Sequence, residues 1–121
     1  MNLSDDRASS LLFVYGSLKR GRANHHELGD AEFLAEARTA ARFALRVIAG
    51  YPALVPGCRS ILGELYRIPN SALTALDEFE GLTYVRGEVE LATGECALSY
   101  LSRVPDAGES YPGDEWQASP I

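Results

Sequence analysis

Apolar positions fall in short blocks separated by glycine and proline, and their spacing predicts more strand than helix. Residues 11–15, Leu-Leu-Phe-Val-Tyr, form a continuous apolar run stopped by Gly16, the pattern of a buried central strand. Phe33 and the alternating Phe43, Leu45 and Val47 predict two strands between residues 31 and 48, with Ala49-Gly50-Tyr51-Pro52 turning the chain. Pro56-Gly57 marks another turn, after which residues 61–68 predict a strand with Gly63 at a bulge or a close backbone approach.

Asn70 or Ser71 is placed to cap a helix through Ala72, Leu73, Ala75, Leu76 and Phe79, which Gly81 stops. A single helical turn is predicted over residues 24–28, capped by Asn24 and ended by Gly29. Val85, Val89 and Leu91 alternate with charged residues, and Cys96, Leu98 and Tyr100 alternate beyond a Thr93-Gly94 turn, which predicts a hairpin. Residues 1–10 are expected to be mobile and residues 105–121 to form an extended tail over the surface. Six or so strands with one principal helix predict a single α+β domain over residues 1–121, built on a mixed, mostly antiparallel, barrel-like sheet.

Composition narrows the function classes. A chain of 121 residues suits one domain, and 46% hydrophobic with 23% charged residues is the balance of a globular protein. Lys and Arg number 11 against 17 Asp and Glu, and the resulting net charge of -6 opposes attraction to nucleic acid or anionic lipid. No run approaches the roughly 20 apolar residues of a spanning helix, and the first ten residues have no signal-peptide core, so a soluble cytoplasmic protein is expected, as monomer or homodimer. Cys58 and Cys96 belong to no Cys-x-x-Cys pair and lie beside no histidine; they read as reduced thiols in or near the core, not as a metal site. The adjacent His25 and His26 lack a Glu-x-x-His spacing and read as a solvated pair.

Two places carry candidate chemistry. On the predicted helix, Leu73, Leu76 and Glu80 share one stripe, so Glu80 is carried toward the core side. Partial burial, and the negative end of the helix dipole, would both raise its proton affinity into the range of a general base near neutral pH. From the helix alone, an outward bend at a frayed end beside Asp77 and Glu78 is an equal reading, and pairing with Arg86 would lower the pKa instead. The second place is the loop after the first strand, where Gly16 and Ser17 can turn their N–H groups toward one point and bind an oxyanion or carboxylate against a wall formed by Tyr15. A plain turn with Gly16 at positive φ is the competing reading. Gly16 and Gly21 have the spacing of a phosphate loop, but Arg22 and Ala23 stand where Lys and Ser or Thr are required. No Gly-x-Ser-x-Gly element surrounds Ser17, which disfavours a serine hydrolase.

The set Phe13-Val14-Tyr15-Gly16-Ser17-Leu18-Lys19-Arg20-Gly21 with Asn24-His25, Gly63-Glu64-Leu65-Tyr66, Leu76-Asp77-Glu78-Phe79-Glu80-Gly81, Tyr84 and Arg86, and Ala97 and Tyr100 resembles the γ-glutamylcyclotransferase-like family, in the family's order over roughly residues 11–101. Gly113-Asp114-Glu115-Trp116 is similar to the family's Gly-Asp-Trp closing segment with one residue inserted. The resemblance implies a small mixed barrel with a central pocket and a small-molecule γ-glutamyl substrate, needing no cofactor. It implies Tyr15, Gly16, Ser17 and Leu18 as the loop that holds the α-carboxylate and amine end of the substrate. Glu80 matches the catalytic acid/base, and Tyr84, Arg86 and Tyr100 are implied as pocket residues, with Tyr51-Pro52 near them. The expected reaction releases 5-oxoproline and an amine from a γ-glutamyl amide. The alternatives are a non-catalytic module binding a small metabolite in the same pocket, and a biosynthetic deprotection enzyme acting on a larger γ-glutamylated substrate.

Overall fold

A computed structural model gives the architecture and describes residues 8–117. In chain order the strands are β1 (Ser9–Val14), β2 (Glu32–Arg38), β3 (Phe43–Ile48), β4 (Tyr51–Pro56), β5 (Leu62–Pro69), β6 (Tyr84–Glu90), β7 (Cys96–Ser102) and β8 (Glu109–Tyr111), with the helix α1 (Leu73–Glu80) between β5 and β6. They form one mixed sheet in the order β2-β5-β1-β7-β4-β3-β8, with β6 also paired to β7. This is the predicted α+β fold, a curled, mostly antiparallel sheet with one main helix.

The expected buried strand is β1, antiparallel to β5 from Ser9↔Pro69 to Val14↔Glu64 and parallel to β7 at Leu12↔Leu98. Its second half, Leu12–Val14, is buried on both faces, and the period of two divides these residues between two clusters. Leu12 and Val14 pack with Leu73 and Leu76 of α1, whereas Phe13 and Tyr15 pack inside the curl with Leu45, Leu54 and Leu65.

Several expectations are corrected. The segment read as a turn over residues 49–52 is a turn at Ala49 and Gly50 only, both at positive φ (52° and 85°), and Tyr51 opens a strand. This two-residue reversal is the hairpin geometry that twist favours. β4 escaped notice because Pro52 and Pro56 bracket a short run, Ala53-Leu54-Val55, that is buried throughout and so shows no alternation. The tail is more than a surface wrap: β8 pairs with β3, Leu45↔Tyr111 to Val47↔Glu109, and the Trp116 ring lies 5.1 Å from that of Tyr111. Of residues 1–10, expected to be mobile, residues 1–7 lie outside the described residues, and Ser9 and Ser10 belong to β1. Residues 118–121 of the predicted tail also lie outside the described residues.

A 3₁₀ turn, Asn70–Ala72, leads into α1, and no side chain caps the entry. Asn70 instead accepts the Ser10 hydroxyl at 2.5 Å and ties the helix start to β1. Gly81 ends α1 at φ 73°, as predicted. The hairpin joins β6 and β7 from Tyr84↔Ser102 to Glu90↔Cys96. Cys58 and Cys96 are free but exposed, not in the core: one sits in the β4–β5 turn and the other at the hairpin end of β7. No helix among the described residues is long and apolar enough to cross a membrane.

Gly63 is the close approach foreseen. A Cβ there would lie 2.3 Å from the Val14 carbonyl oxygen and 2.6 Å from the Phe13 ring. Backbone already fixed by the β1–β5 ladder cannot yield cheaply, so Gly63→Ala is expected to cost about 1–3 kcal/mol. Urea unfolding measures it, and a loss below about 0.5 kcal/mol would show that β1 moves aside freely.

Candidate active site

β7 carries the geometry from which the cavity follows. Its one edge is fully paired with β6, while the other meets β1 at Leu98 and β4 at Leu101 only. β1 and β4 therefore diverge beside β7, and the phenol of Tyr15 fills the place of the missing ladder bonds. Its hydroxyl accepts from the Leu54 N–H at 2.9 Å and donates to the Tyr100 carbonyl at 2.5 Å. Above this cross-link lies a cavity enclosing about 350 Å³ including its open mouth.

The loop leaving β1 is held from behind. Glu64, buried on β5, accepts the Arg20 N–H and the Tyr66 hydroxyl, each at 2.9 Å. Asn24 does not cap its turn but donates to the Ser17 hydroxyl at 2.9 Å, and its own N–H reaches the Ser17 carbonyl at 3.0 Å. His25 is half-buried, with Nδ1 at 2.9 Å from the Leu18 carbonyl; that nitrogen carries the hydrogen, since a carbonyl only accepts. The solvated-pair reading thus holds for His26 alone, which is exposed beside Glu27. The backbone N–H groups of Gly16, Ser17 and Leu18 donate to no backbone carbonyl in the turns among the described residues, and all three residues line the cavity.

Gly16 is needed for room, not for positive φ. A Cβ on it would meet Pro52 Cγ at 2.6 Å, and its φ is not in the left-handed region. Pro52 in turn has its carbonyl bound by the Tyr84 hydroxyl at 2.7 Å, so the loop, β4 and β6 are linked around the opening.

Of the residues singled out from sequence, Tyr15, Gly16, Ser17, Leu18, Tyr51, Glu80, Tyr84 and Tyr100 line this one cavity, and Arg86 does not. Glu80, the last residue of α1, faces the cavity, and burial pushes its carboxyl up to about 7. Burial pushes Tyr84 up to about 12 and Tyr15 and Tyr100 well above the usual phenol range, so all three remain donors at neutral pH. Arg86 neither borders the cavity nor pairs with Glu80: its Nη1 lies 3.5 Å from Asp77 Oδ2. Asp77 also accepts the Tyr100 hydroxyl at 2.5 Å. Sequence reasoning passed over Asp77, although its place one turn before Glu80 was a readable signal. It also passed over Lys19, buried behind the loop 4.0 Å from Glu115, where burial lowers its pKa.

The arrangement offers uncommitted amides for a carboxylate, phenol rings whose hydroxyls are already bound to Tyr100, Pro52 and Asp77, and one carboxyl that exchanges a proton near neutrality. No group of acidic, His or Cys side chains suited to a metal ion occurs among the described residues.

Comparison with known proteins fits this geometry. The family described as "Gamma-glutamyl cyclotransferase, AIG2-like" matches residues 12–118. A Vibrio cholerae protein named "Putative gamma-glutamylcyclotransferase" is 36% identical over 86 residues, covering 69% of this chain and 75% of the relative. "Gamma-glutamylaminecyclotransferase A" of Danio rerio is 40% identical over 79 residues, 57% of this chain and 49% of the relative. The crystal structure of an AIG2-like protein from Mus musculus superposes with a TM-score of 0.69 at 27% identity, covering 90% of this chain and 88% of the other.

Proposed function

The chain belongs to the gamma-glutamyl cyclotransferase, AIG2-like family, and from that premise we propose that it converts a γ-glutamyl amide into 5-oxoproline and a free amine, with Glu80 as general acid and base. The observation that carries the reading is a half-buried carboxyl, pushed up to about 7 by desolvation, in the wall of the cavity that Gly16, Ser17 and Leu18 also line. These amides bind the substrate α-carboxylate and so fix the α-nitrogen next to it. Glu80 takes a proton from the α-ammonium, and the freed amine attacks the γ-carbonyl carbon. The bond between that carbon and the leaving nitrogen then breaks. Of the three ammonium protons one stays on the ring nitrogen, and two reach the departing amine, one of them by way of Glu80. The attack is intramolecular, where effective molarities reach about 10⁵ M or more, so holding the chain bent supplies much of the catalysis.

The test is mass-spectrometric detection of 5-oxoproline from γ-glutamyl amino acids, γ-glutamyl amines and γ-glutamyl-ε-lysine. Release from at least one member supports the reading, whereas saturable binding without product from any would support a binding module. Larger leaving groups belong in the panel on one observation. A groove of about 1010 Å³, counting its open side, shares Tyr84 and Tyr100 with the cavity and runs past Leu82, Val85 and Arg103.

The pH dependence has a definite sign. Attack needs Glu80 ionised, and its carboxyl titrates near 7 and not near 4.5, so kcat/KM is expected to rise with pH through about 7 and to fall about tenfold per unit below it. A profile flat from pH 5 to 8 would remove Glu80 as the base.

A further inference from the structure

α1 brings two carboxylates to the cavity side of the molecule, Asp77 and Glu80, one turn apart, with Cβ atoms about 5–6 Å from each other. Opposite them, Arg86 on β6 and Tyr100 on β7 are direct cross-strand partners, so their side chains leave the sheet on the same face. Tyr100 reaches both neighbourhoods: its ring lines the cavity with Glu80, and its hydroxyl donates to Asp77. Arg86 thus emerges beside two helix carboxylates, and it lies on Asp77, at 3.5 Å.

We propose that Asp77 is a positioning residue, which captures Arg86 and the Tyr100 hydroxyl so that no cation reaches the Glu80 carboxylate. The proposal rests on the reading of Glu80 as acid and base. The groups that face Glu80 from the surrounding elements are the phenols of Tyr15 after β1, Tyr51 on β4, Tyr84 on β6 and Tyr100 on β7. None of these carries a cation. Asp77 and Glu78 are the other acids of α1, and Glu78 is exposed. A second cation, Arg103, borders the adjoining groove but is held by the Leu82 and Tyr84 carbonyls at 2.9 and 3.3 Å, which leaves Arg86 as the group able to stabilise ionised Glu80, whose carboxyl burial raises. A guanidinium within about 4–6 Å would lower a carboxyl by 1–3 units and make Glu80 too weak a base to work near neutral pH.

The experiment is a ¹³C NMR titration of the Glu80 carboxyl, assigned by its loss in Glu80→Gln, in the wild type, Asp77→Asn, Arg86→Gln and the double variant. Asn keeps an acceptor for Tyr100 and frees Arg86. The Glu80 midpoint is expected to fall by about one unit or more in Asp77→Asn, to stay or rise in Arg86→Gln, and to return to near the wild-type value in the double variant. Where the enzyme turns over, the acid limb of kcat/KM shifts with the midpoint. An unchanged midpoint in Asp77→Asn would overturn the proposal. So would an equal fall in the double variant, which would mean that Asp77 acts by its own charge. The titration needs no substrate, so an active Glu80→Gln enzyme would remove the proposed chemistry and leave this measurement readable.

Discussion

Glu80→Gln is expected to stop turnover and, above pH 7, to make the protein more stable. The first effect follows from the role of the carboxylate. The amide can neither take the proton from the α-ammonium nor return one to the leaving nitrogen, and loss of a positioned acid and base costs roughly 10²-fold to 10⁴-fold. The loop amides that hold the substrate are untouched, so KM should change much less than kcat.

The second effect follows from the sign of the pKa shift. The carboxyl titrates near 4.5 when exposed and near 7 in the folded protein, so below about pH 4.5 both states hold the proton and the burial costs nothing. Between the two values the unfolded chain ionises first and stability falls as pH rises. Above about 7 the folded state carries the full penalty, of the order of 3 kcal/mol before allowance for the remaining exposure of the group. Glutamine never ionises. Thermal unfolding of the two proteins should therefore nearly coincide at pH 4.5 and separate at pH 8, with the variant melting several degrees higher. A variant that melts lower at pH 8 would show that the carboxylate has favourable partners there, and one that keeps its activity would end the assignment of Glu80.

How far the sequence reveals this site depends on which forces place each residue. The helical stripe of Leu73, Leu76 and Glu80 is a local pattern, and β1 is a continuous apolar run; both are legible because period and burial follow from neighbours in sequence. β4 is not, since prolines bracket it and it is buried on both faces, which erases the alternation that marks a half-exposed strand. The choice of Arg86 between Asp77 and Glu80 is illegible for another reason: both carboxylates lie within reach, and the register of β6 on β7 decides between them. Cys58 and Cys96 are hydrophobic by type, yet a tight turn and a hairpin end place them outside. Gly16 is the most instructive case, because a glycine after a strand suggests positive φ, while the structure requires only space beneath Pro52.

Tyr15→Phe is expected to cost more than any other conservative change in the sheet. The tyrosine is implied by resemblance as a substrate-binding residue, and its ring does line the cavity, but its hydroxyl is spent on the scaffold. β4 and β7 share a single ladder pair, Leu54↔Leu101, so the phenol is the main polar link where they separate. Phenylalanine keeps the ring and leaves two buried backbone groups, the Leu54 N–H and the Tyr100 carbonyl, without that partner. At about 1–3 kcal/mol for each, the loss is about 2–6 kcal/mol, a large share of the 5–15 kcal/mol typical of a domain. Chemical denaturation should show it as a lower midpoint at unchanged slope. Catalysis should suffer through the same link, because β4 carries Pro52 against Gly16, and a shifted β4 loosens the loop that holds the α-carboxylate. KM is therefore expected to rise more than kcat falls, the reverse of Glu80→Gln. A loss of stability below about 1 kcal/mol would show that β4 and β7 hold together without the phenol. In that case the tyrosine hydroxyl would have to be sought in substrate binding.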